Sequence, residues 1–188
     1  MKKIMIDMDD VICTGGYLNL INKYLKTDYK IEDFKDYFLE EILISKEEKE
    51  KYFDYFFNQN VYKHSYLIEN AKEVLMKLNK EYDLYICTAY FHPDRIEKSG
   101  LHCMNKYEWL VDNLPFIDAS HFVFINDKTM FKCDIKIDDR ISNLEGDAPL
   151  KLLFDAWHNR DISDEDLKEK GIIRVKNWLE IEKILLED

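Results

Sequence analysis

The chain has 188 residues, of which 46% are hydrophobic and 14% aromatic, and its formal net charge is −11. This length and composition predict one globular core with at most a modest insertion. The negative charge argues against long nucleic acid as a partner, because a polyanion would meet a repulsive field.

The first predicted strand ends in a group of carboxylates. The apolar run Ile4-Met5-Ile6 is followed by Asp7 and Asp9, with apolar Val11 and Ile12 close behind. In α/β proteins, ligands bind at the carboxyl ends of strands. Two acids at positions i and i+2 beyond a strand point the same way if the chain is extended, or converge on one ion if it curls. Taken alone, the segment also fits a strand followed by an acidic turn, since short motifs match by chance.

Residues 14–66 predict a helical insertion after this strand. A strand-helix-strand crossover needs about 30 residues. The next strand with a polar end does not finish until Thr88, so the gap after Asp7 is much longer than a crossover needs. A helical stripe of apolar residues covers 17–26, and Ser45-Lys46-Glu47-Glu48 indicates a capping box that opens a helix through residue 57. The aromatic residues of this second helix share one face: Tyr52, Phe53, Phe56 and Phe57. We expect the insertion to form a small cap over the strand ends.

Three further β-type runs end in groups that suit phosphoryl transfer. They cover residues 82–89, 121–126 and 134–140. The polar groups at or just beyond their ends are Thr88, Lys128 and the pair Asp138 and Asp139. If these strands are parallel neighbours of the first, all of these groups lie along a single edge of the sheet. This order of motifs predicts a phosphotransfer site with an acidic metal cradle.

The remaining pattern predicts a doubly wound, Rossmann-like parallel sheet. Helices are predicted at 69–80 and 103–114, and further strands at 150–156 and 172–175, the last at an edge. A final helix begins after Asn177, its predicted N-cap. We therefore expect an α/β core made of residues 1–13 and 67–188, with the helical cap at 14–66.

The ordered motifs resemble those of the haloacid dehalogenase superfamily, which are DxD, a Ser or Thr at a strand end, a Lys and a final acidic pair. The closer resemblance is to the 5′(3′)-deoxyribonucleotidases. The segments that carry it are Asp7-Met8-Asp9-x-Val11, Lys106-Tyr107-Glu108-Trp109, Asp127-Lys128-Thr129, Ile137-Asp138-Asp139-Arg140 and Phe154-Asp155-Ala156-Trp157-His158-Asn159. The resemblance spans most of the chain and weakens in residues 17–66. One departure is Asp10, where that family usually has Gly.

The two acids of the first motif are the predicted reacting groups. We expect Asp7 to attack the phosphorus of a monoester and form an aspartyl-phosphate, as carboxylates do when the phosphoryl charge is neutralised. Asp9 is then placed to protonate the departing alkoxide and later to take a proton from water. That role suits a raised pKa, which the neighbouring acids would provide for Asp9. The resemblance implies the same two roles.

Converging carboxylates repel each other unless a cation lies between them, and Mg²⁺ prefers oxygen ligands. The resemblance implies Asp7 and Asp138 as side-chain ligands of Mg²⁺ and Asp9 as a ligand through its backbone carbonyl. For Asp139 two roles stay open, which are holding a metal-bound water and orienting Lys128.

The phosphate itself is expected to meet three residues. Lys128 supplies a fixed positive charge, and Thr88 a hydroxyl, with backbone N–H donors nearby at Ala89. Taken alone, Lys128 also fits a surface lysine and Thr88 an ordinary strand residue. The order of all four motifs along the chain favours the interpretation as a phosphate site.

Substrate choice must come from the cap and the adjacent loops. The sequence offers Tyr17 as a stacking residue, and Arg95 and Lys106 as groups that reach phosphate or sugar. Aromatic residues at helical spacing are more often core than ligand contacts, so this alternative stays open for the cap. Arg140 is either a ligand contact or the ion-pair partner of the acidic pair.

The sequence gives no sign of membrane insertion, secretion or a cysteine-based site. No run of about 18 apolar residues occurs, and Met1-Lys2-Lys3 leads into an apolar run too short for a signal peptide, so we expect a cytoplasmic protein. The cysteines have no CxxC spacing and are expected to be unpaired, with burial as small hydrophobes. They are Cys13, Cys87, Cys103 and Cys133.

The sequence as a whole predicts a Mg²⁺-dependent phosphomonoesterase. The resemblance implies a deoxyribonucleoside 5′- or 3′-monophosphate as substrate, with no long nucleic acid and no membrane as partner. Three alternatives stay open: a phosphatase for another small ester such as a sugar phosphate, an idle phospholigand-binding protein, and a phosphatase for protein or polynucleotide ends. Whether the chain forms a homodimer also stays open.

Overall fold

A parallel β-sheet organises the computed structural model, which describes residues 1–92 and 95–187. The strands are β1 (Lys2–Ile6), β2 (Cys13–Thr14), β3 (Tyr66–Leu67), β4 (Tyr82–Thr88), β5 (Phe122–Phe124), β6 (Ile135–Asp138), β7 (Leu150–Phe154) and β8 (Ile172–Val175). Among the described residues, the large sheet has the order β5-β4-β1-β6-β7-β8, and all its neighbours are parallel. Strand β1 therefore lies between β4 and β6, with β8 at an edge as predicted.

Both faces of this sheet are buried. Ile4 and Ile6 belong to the main hydrophobic core, whereas Met5 belongs to a second cluster with Cys87 and Cys133. Successive side chains of a strand point to opposite faces, so the two clusters lie on opposite sides of the sheet. Burial on both faces explains why the strand sequences are near-continuous apolar runs. The predicted α/β class and doubly wound sheet are confirmed.

The helices lie between the strands in the chain. They are α1 (Gly16–Leu25), α2 (Leu39–Leu43), α3 (Lys49–Phe57), α4 (Ala71–Leu78), α5 (Ser99–Asn113), α6 (Ile141–Leu144), α7 (Asp164–Glu169) and α8 (Trp178–Leu186). Asn177 caps α8 as predicted, because its side chain accepts a hydrogen bond from the Glu180 N–H at 3.0 Å. Buried Trp178 donates from its indole to the Val11 carbonyl at 2.8 Å, which ties α8 to the loop after β1. Within the described part of the chain, no helix is both long and apolar enough to cross a bilayer.

Two predicted helix starts are wrong. The predicted capping box at Ser45 does not form: the Glu48 N–H bonds to the Ser45 carbonyl, residues 46–48 form a turn, and α3 begins only at Lys49. Helix α5 begins at Ser99, four residues before the predicted start, and contains Gly100. A Cβ at Gly100 would meet nothing within 4 Å, and its backbone angle is an ordinary one, so the helix accommodates the low helix propensity of glycine.

The insertion leaves and re-enters the core through a short antiparallel pair. Strands β2 and β3 align Cys13 with Leu67 and Thr14 with Tyr66, and helices α1 to α3 lie between them in the chain. The aromatic face predicted for α3 is buried in the main core, which favours the core alternative for these side chains over base stacking. They are Tyr52, Phe53, Phe56 and Phe57. The division into a core and a cap at residues 14–66 stays a prediction.

The cysteines are all unpaired, as expected. Cys13, Cys87 and Cys133 are buried, and Cys103 is partly buried.

Candidate active site

The register of three strands places the polar residues of the first, second and fourth motifs at one edge of the sheet. Ile6 of β1 pairs with Ile86 of β4 and with Ile137 of β6. Asp7 follows β1, and its N–H donates to the Ile137 carbonyl at 2.9 Å. Thr88 is the last residue of β4 and Asp138 the last of β6. The apolar strands thus deliver these groups to adjacent positions.

One lysine lies between the first and the last of these carboxylates. The Lys128 Nζ is 2.6 Å from an oxygen of Asp7 and 2.8 Å from an oxygen of Asp138. Only 2% of the lysine side chain is exposed. The other Asp138 oxygen accepts from the Arg140 N–H and from the Asn143 amide, both at 2.9 Å. Asp138 is therefore held at both carboxylate oxygens, by Lys128 on one and by Arg140 and Asn143 on the other.

Burial sets the direction of the pKa shift for both acids of this cluster. It raises the pKa of Asp7 to about 6, with Lys128 opposing the shift and Asp138 adding to it. The pKa of Asp138 is also raised, by burial first. For Lys128, burial opposes the charged form, but the two carboxylates outweigh it and raise its pKa. The cluster carries more negative charge than its one ammonium offsets.

A second lysine holds the other acid of the first motif. The Lys106 Nζ lies 2.5 Å from an Asp9 oxygen and 2.5 Å from the Thr88 hydroxyl oxygen. The Tyr62 hydroxyl donates to the other Asp9 oxygen at 3.0 Å. Burial acts to raise the pKa of Asp9, but the charge and hydrogen bond of Lys106 outweigh it, so the pKa is lowered. The expectation of a raised pKa for Asp9 is therefore wrong. Its pKa is set by contact with Lys106, which is far away in the sequence, more than by the acids that neighbour it in the sequence.

Asp139 contacts a histidine. One of its oxygens is 2.7 Å from the His158 Nε2, and its backbone carbonyl accepts from the Asn159 amide at 2.8 Å. Asp139 thus lies against His158, whereas the partners of Lys128 are Asp7 and Asp138. Burial raises the pKa of the Asp139 carboxyl, and the hydrogen bond from His158 opposes this.

Three of these carboxylates have the geometry of a cation site. One oxygen from each of Asp7, Asp138 and Asp139 lies within 4.8 Å of the others, and all three residues are buried. The pKa of each is raised, so their ionised forms need more positive charge than Lys128 supplies. A hard divalent cation such as Mg²⁺ fits an all-oxygen donor set of this kind.

A cavity of about 360 Å³ opens beside Asp9 and Lys106. Its size falls within the range of about 300–1,000 Å³ typical of small-molecule sites. Besides these charged groups, Ala89 and Arg140 line it, and the Arg140 guanidinium lies 4.7 Å from the centre of the Tyr37 ring. The aromatic residues of its wall are Tyr17, Tyr37, Phe38, Phe91 and Trp157. The cavity thus joins a charged end to an aromatic end.

The whole sequence matches one protein family. Residues 1–188 match the family described as "5′ nucleotidase, deoxy (Pyrimidine), cytosolic type C protein". The chain belongs to this family. It is therefore a phosphoric monoester hydrolase of the 5′-nucleotidase type, and the resemblance drawn from its motifs is confirmed.

Relatives and solved structures agree with this assignment. The chain is 38% identical over 190 residues to 5′(3′)-deoxyribonucleotidases of Bacillus subtilis strain 168 and of Bacillus phage SPbeta, covering 99% of this chain and 100% of each relative. A haloacid dehalogenase-like hydrolase from Streptococcus pneumoniae has a TM-score of 0.55 at 16% identity, with 96% of each chain covered. A haloacid dehalogenase-type protein from Bacillus subtilis, solved with magnesium bound, has a TM-score of 0.53 at 15% identity, with 98% of each chain covered. At these sequence identities, the similarity to solved structures shows the fold alone.

The residues predicted for substrate contact lie in different places relative to the candidate site. Tyr17 lines the cavity and stacks on Phe56 with ring centres 5.5 Å apart. Lys106 lines the cavity and contacts Asp9 and Thr88. Arg95 pairs with Glu50 of helix α3 at 2.5 Å.

Sequence reasoning missed three residues that contact the candidate site. His158 lies in a segment that carries the family resemblance, so a signal for it existed. No sequence signal pointed to Tyr62 or His102, because they contact each other only through the fold, across 40 positions of the chain. The His102 Nε2 is 3.1 Å from the Tyr17 hydroxyl and 3.4 Å from that of Tyr62. Burial lowers the pKa of His102 to about 3, so a neutral ring links the two phenols.

Proposed function

We propose that the enzyme hydrolyses deoxyribonucleoside 5′- or 3′-monophosphates to nucleoside and phosphate, through an aspartyl-phosphate on Asp7 and with Mg²⁺ as cofactor. The observation that carries the proposal is the position of Asp7, a buried carboxylate that contacts Lys128, belongs to the candidate cation site and lies two residues before the cavity-lining Asp9. The name of the Bacillus relatives, 5′(3′)-deoxyribonucleotidase, supports the substrate class. A cytoplasmic location and a homodimer stay predictions.

Asp7 acts as the nucleophile in this proposal. Its carboxylate is oriented from both sides, since one oxygen accepts from the Met8 N–H at 2.6 Å and the other meets Lys128 at 2.6 Å. An Asp7 oxygen forms a bond to phosphorus as the bond from phosphorus to the sugar oxygen breaks. Lys128 stabilises the charge on the transferring phosphoryl oxygens. Water then attacks the phosphorus, and the bond to Asp7 breaks to release phosphate.

Asp9 transfers the proton in both steps, the formation of the aspartyl-phosphate and its hydrolysis. As an acid it donates to the leaving sugar oxygen, and as a base it takes a proton from the attacking water. Lys106 keeps Asp9 ionised, so the acid role needs this contact to weaken. A bound phosphate dianion competes for the Lys106 ammonium, which raises the proton affinity of Asp9 when substrate is present. The Thr88 hydroxyl and the N–H groups near Ala89 complete the proposed phosphate contacts.

The cation site explains how a phosphate dianion enters a cluster of acids. Asp7 and Asp138 would hold Mg²⁺ by side chains and Asp9 by its backbone carbonyl, with Asp139 and His158 beside them. When bound, the ion supplies positive charge that offsets both the carboxylates and the phosphoryl group.

Mg²⁺ is expected to stabilise the folded enzyme through these carboxylates. At a concentration about 100 times its dissociation constant, a ligand that binds only the folded state adds about 2.7 kcal/mol to the free energy of unfolding. Thermal unfolding with and without Mg²⁺ measures this in the absence of substrate. Asp138→Asn should remove the shift, and the exposed Asp147→Asn should keep it. An equal shift in all three proteins would contradict the assigned site.

Phosphate release from a panel of esters tests the function. The panel holds deoxy- and ribonucleoside monophosphates, phosphorylated at the 5′ or 3′ position, and several sugar phosphates, each with Mg²⁺ and with EDTA. We expect Mg²⁺-dependent release that favours the deoxynucleotides. Preference for sugar phosphates would keep the chemistry and overturn the substrate class. Nucleotide binding without release over hours would instead identify an idle binding protein.

A further inference from the structure

A fully buried lysine lies behind the active site. Lys136 of β6 is 0% exposed, and its Nζ donates to the carbonyls of Glu145 at 2.6 Å, Lys128 at 3.1 Å and Asn143 at 3.3 Å. An ammonium has three donors, so the three carbonyls use all of them. No carboxylate oxygen of the described residues forms a salt bridge with it. Burying a charge is costly, and an aliphatic side chain like those of its strand neighbours would avoid that cost.

The three carbonyls belong to two segments whose side chains contact the acidic cluster. The Lys128 carbonyl is on the residue whose side chain lies between Asp7 and Asp138. Asn143 donates from its amide to Asp138, and Glu145 directly follows α6. One ammonium therefore ties the turn at residues 128–130 to the end of α6.

Gly146 gives independent evidence that these two segments approach closely. Its φ is +90°, and a Cβ added there would lie 2.9 Å from the Thr129 carbonyl oxygen and 3.6 Å from the Lys136 Nζ. Such a contact is shorter than real Cβ atoms adopt, and the opposing atom is backbone, which does not move easily. The close approach that Lys136 bridges therefore needs glycine at this position.

We propose that Lys136 is a positioning residue of the phosphatase: it fixes the main chain at Lys128 and so sets the Lys128 ammonium between Asp7 and Asp138. The inference rests on the proposed function for its kinetic consequences, but its structural part does not. Catalytic groups need placement to within a fraction of an ångström, and an error of 1 Å costs about a hundredfold in rate. A neutral side chain would remove the ammonium donor from all three carbonyls and leave the Lys128 carbonyl with the Phe131 N–H alone. The turn at residues 128–130 would then lose its tie to the end of α6 and shift.

The kinetic test compares Lys136→Met with a matched control. Methionine keeps the length of the lysine side chain and removes its donors. We expect kcat to fall about tenfold to a hundredfold with KM changed less than about threefold, because the loss affects the placement of Lys128 during transfer. Lys136→Arg, which keeps the donors, should recover part of this loss. The control is Lys151→Met, at the paired position of β7, which should retain the wild-type kcat.

Hydrogen exchange gives a readout that does not depend on activity. The Phe131 N–H donates to the same Lys128 carbonyl that Lys136 holds. In Lys136→Met, amides of residues 128–131 should exchange faster than in the wild type, and in Lys151→Met they should not. Unchanged exchange together with unchanged kcat would overturn the proposal.

A second variant covers the case in which Lys136→Met does not fold. Gly146→Ala leaves Lys136 in place and pushes on the Thr129 carbonyl, so it should give the same fall in kcat and the same faster exchange at 128–131. Wild-type kcat in Gly146→Ala would contradict the positioning role. If the wild-type enzyme itself releases no phosphate, the proposed function fails, while the exchange measurements still decide what Lys136 holds.

Discussion

Asp7→Asn is expected to abolish phosphate release and to leave the fold intact. An amide oxygen is a poor nucleophile, so the aspartyl-phosphate cannot form, and loss of a nucleophile costs roughly 10⁴-fold or more in kcat in comparable hydrolases. The asparagine oxygen can still accept from the Met8 N–H, and Lys128 keeps Asp138 as a partner.

The sign of the stability change follows from the raised pKa of Asp7. In the metal-free protein its pKa is about 6, above the ordinary value of 3.8, so the ionised form is disfavoured by folding. Above pH 6 that penalty is fully present, and a neutral asparagine removes it. Unfolding at pH 7 should therefore show a variant at least as stable as the wild type. Asp112→Asn, on the exposed side of α5, is the control for activity, and a wild-type rate in purified Asp7→Asn would contradict the assignment of the nucleophile.

Lys128→Met is expected to damage both stability and catalysis. The substitution leaves Asp7 and Asp138 buried without their ammonium partner, and breaking a buried ion pair in this way costs about 3–5 kcal/mol. Loss of a charge that stabilises the transferring phosphoryl group lowers kcat by about a hundredfold to a thousandfold.

Denaturant unfolding without added metal and phosphate release measure these two effects. Lys132→Met, at an exposed position of the same loop, should change neither of them. A Lys128→Met protein with wild-type stability would mean that the two carboxylates are not held by this lysine in solution.

The sheet was predictable because its strands are short apolar runs with polar ends. Because the strands are buried on both faces, they read as continuous apolar runs instead of alternating ones. Once the strands are taken as parallel neighbours, the ends of β1, β4 and β6 must lie at the same edge of the sheet. The antiparallel pair β2 and β3 was not predicted, since two residues a strand carry no periodicity. The start of α5 was placed too late because Gly100 argues against a helix, although a glycine within a helix costs only about 1 kcal/mol relative to alanine.

The convergence of the candidate site residues was predictable from the sequence, and their electrostatics less so. Asp7, Asp138 and Lys128 converge because each follows or ends a strand or lies in the loop between two strands. The partner of Asp9 is Lys106, 97 positions away on α5, so adjacent acids were a misleading guide to its pKa.

Asp10, where the motif resemblance implies glycine, has a backbone conformation that suits glycine. Its φ is +57°, a left-handed conformation that glycine adopts at little cost and that Asp tolerates better than most residues. Its carboxylate accepts from the Thr14 hydroxyl at 2.6 Å, a local bond that glycine cannot make. A residue other than glycine is thus accommodated without displacing a reacting group.

The most direct test of the account is to trap the phosphoryl-enzyme. Wild-type enzyme with Mg²⁺ is mixed with a deoxyribonucleoside monophosphate labelled in its phosphate and quenched in acid within the first turnover, and the labelled peptide is identified by mass spectrometry. The account predicts label on the peptide that contains Asp7, and none in the Asp7→Asn variant. Turnover without any labelled protein, or label on a different residue, would contradict it.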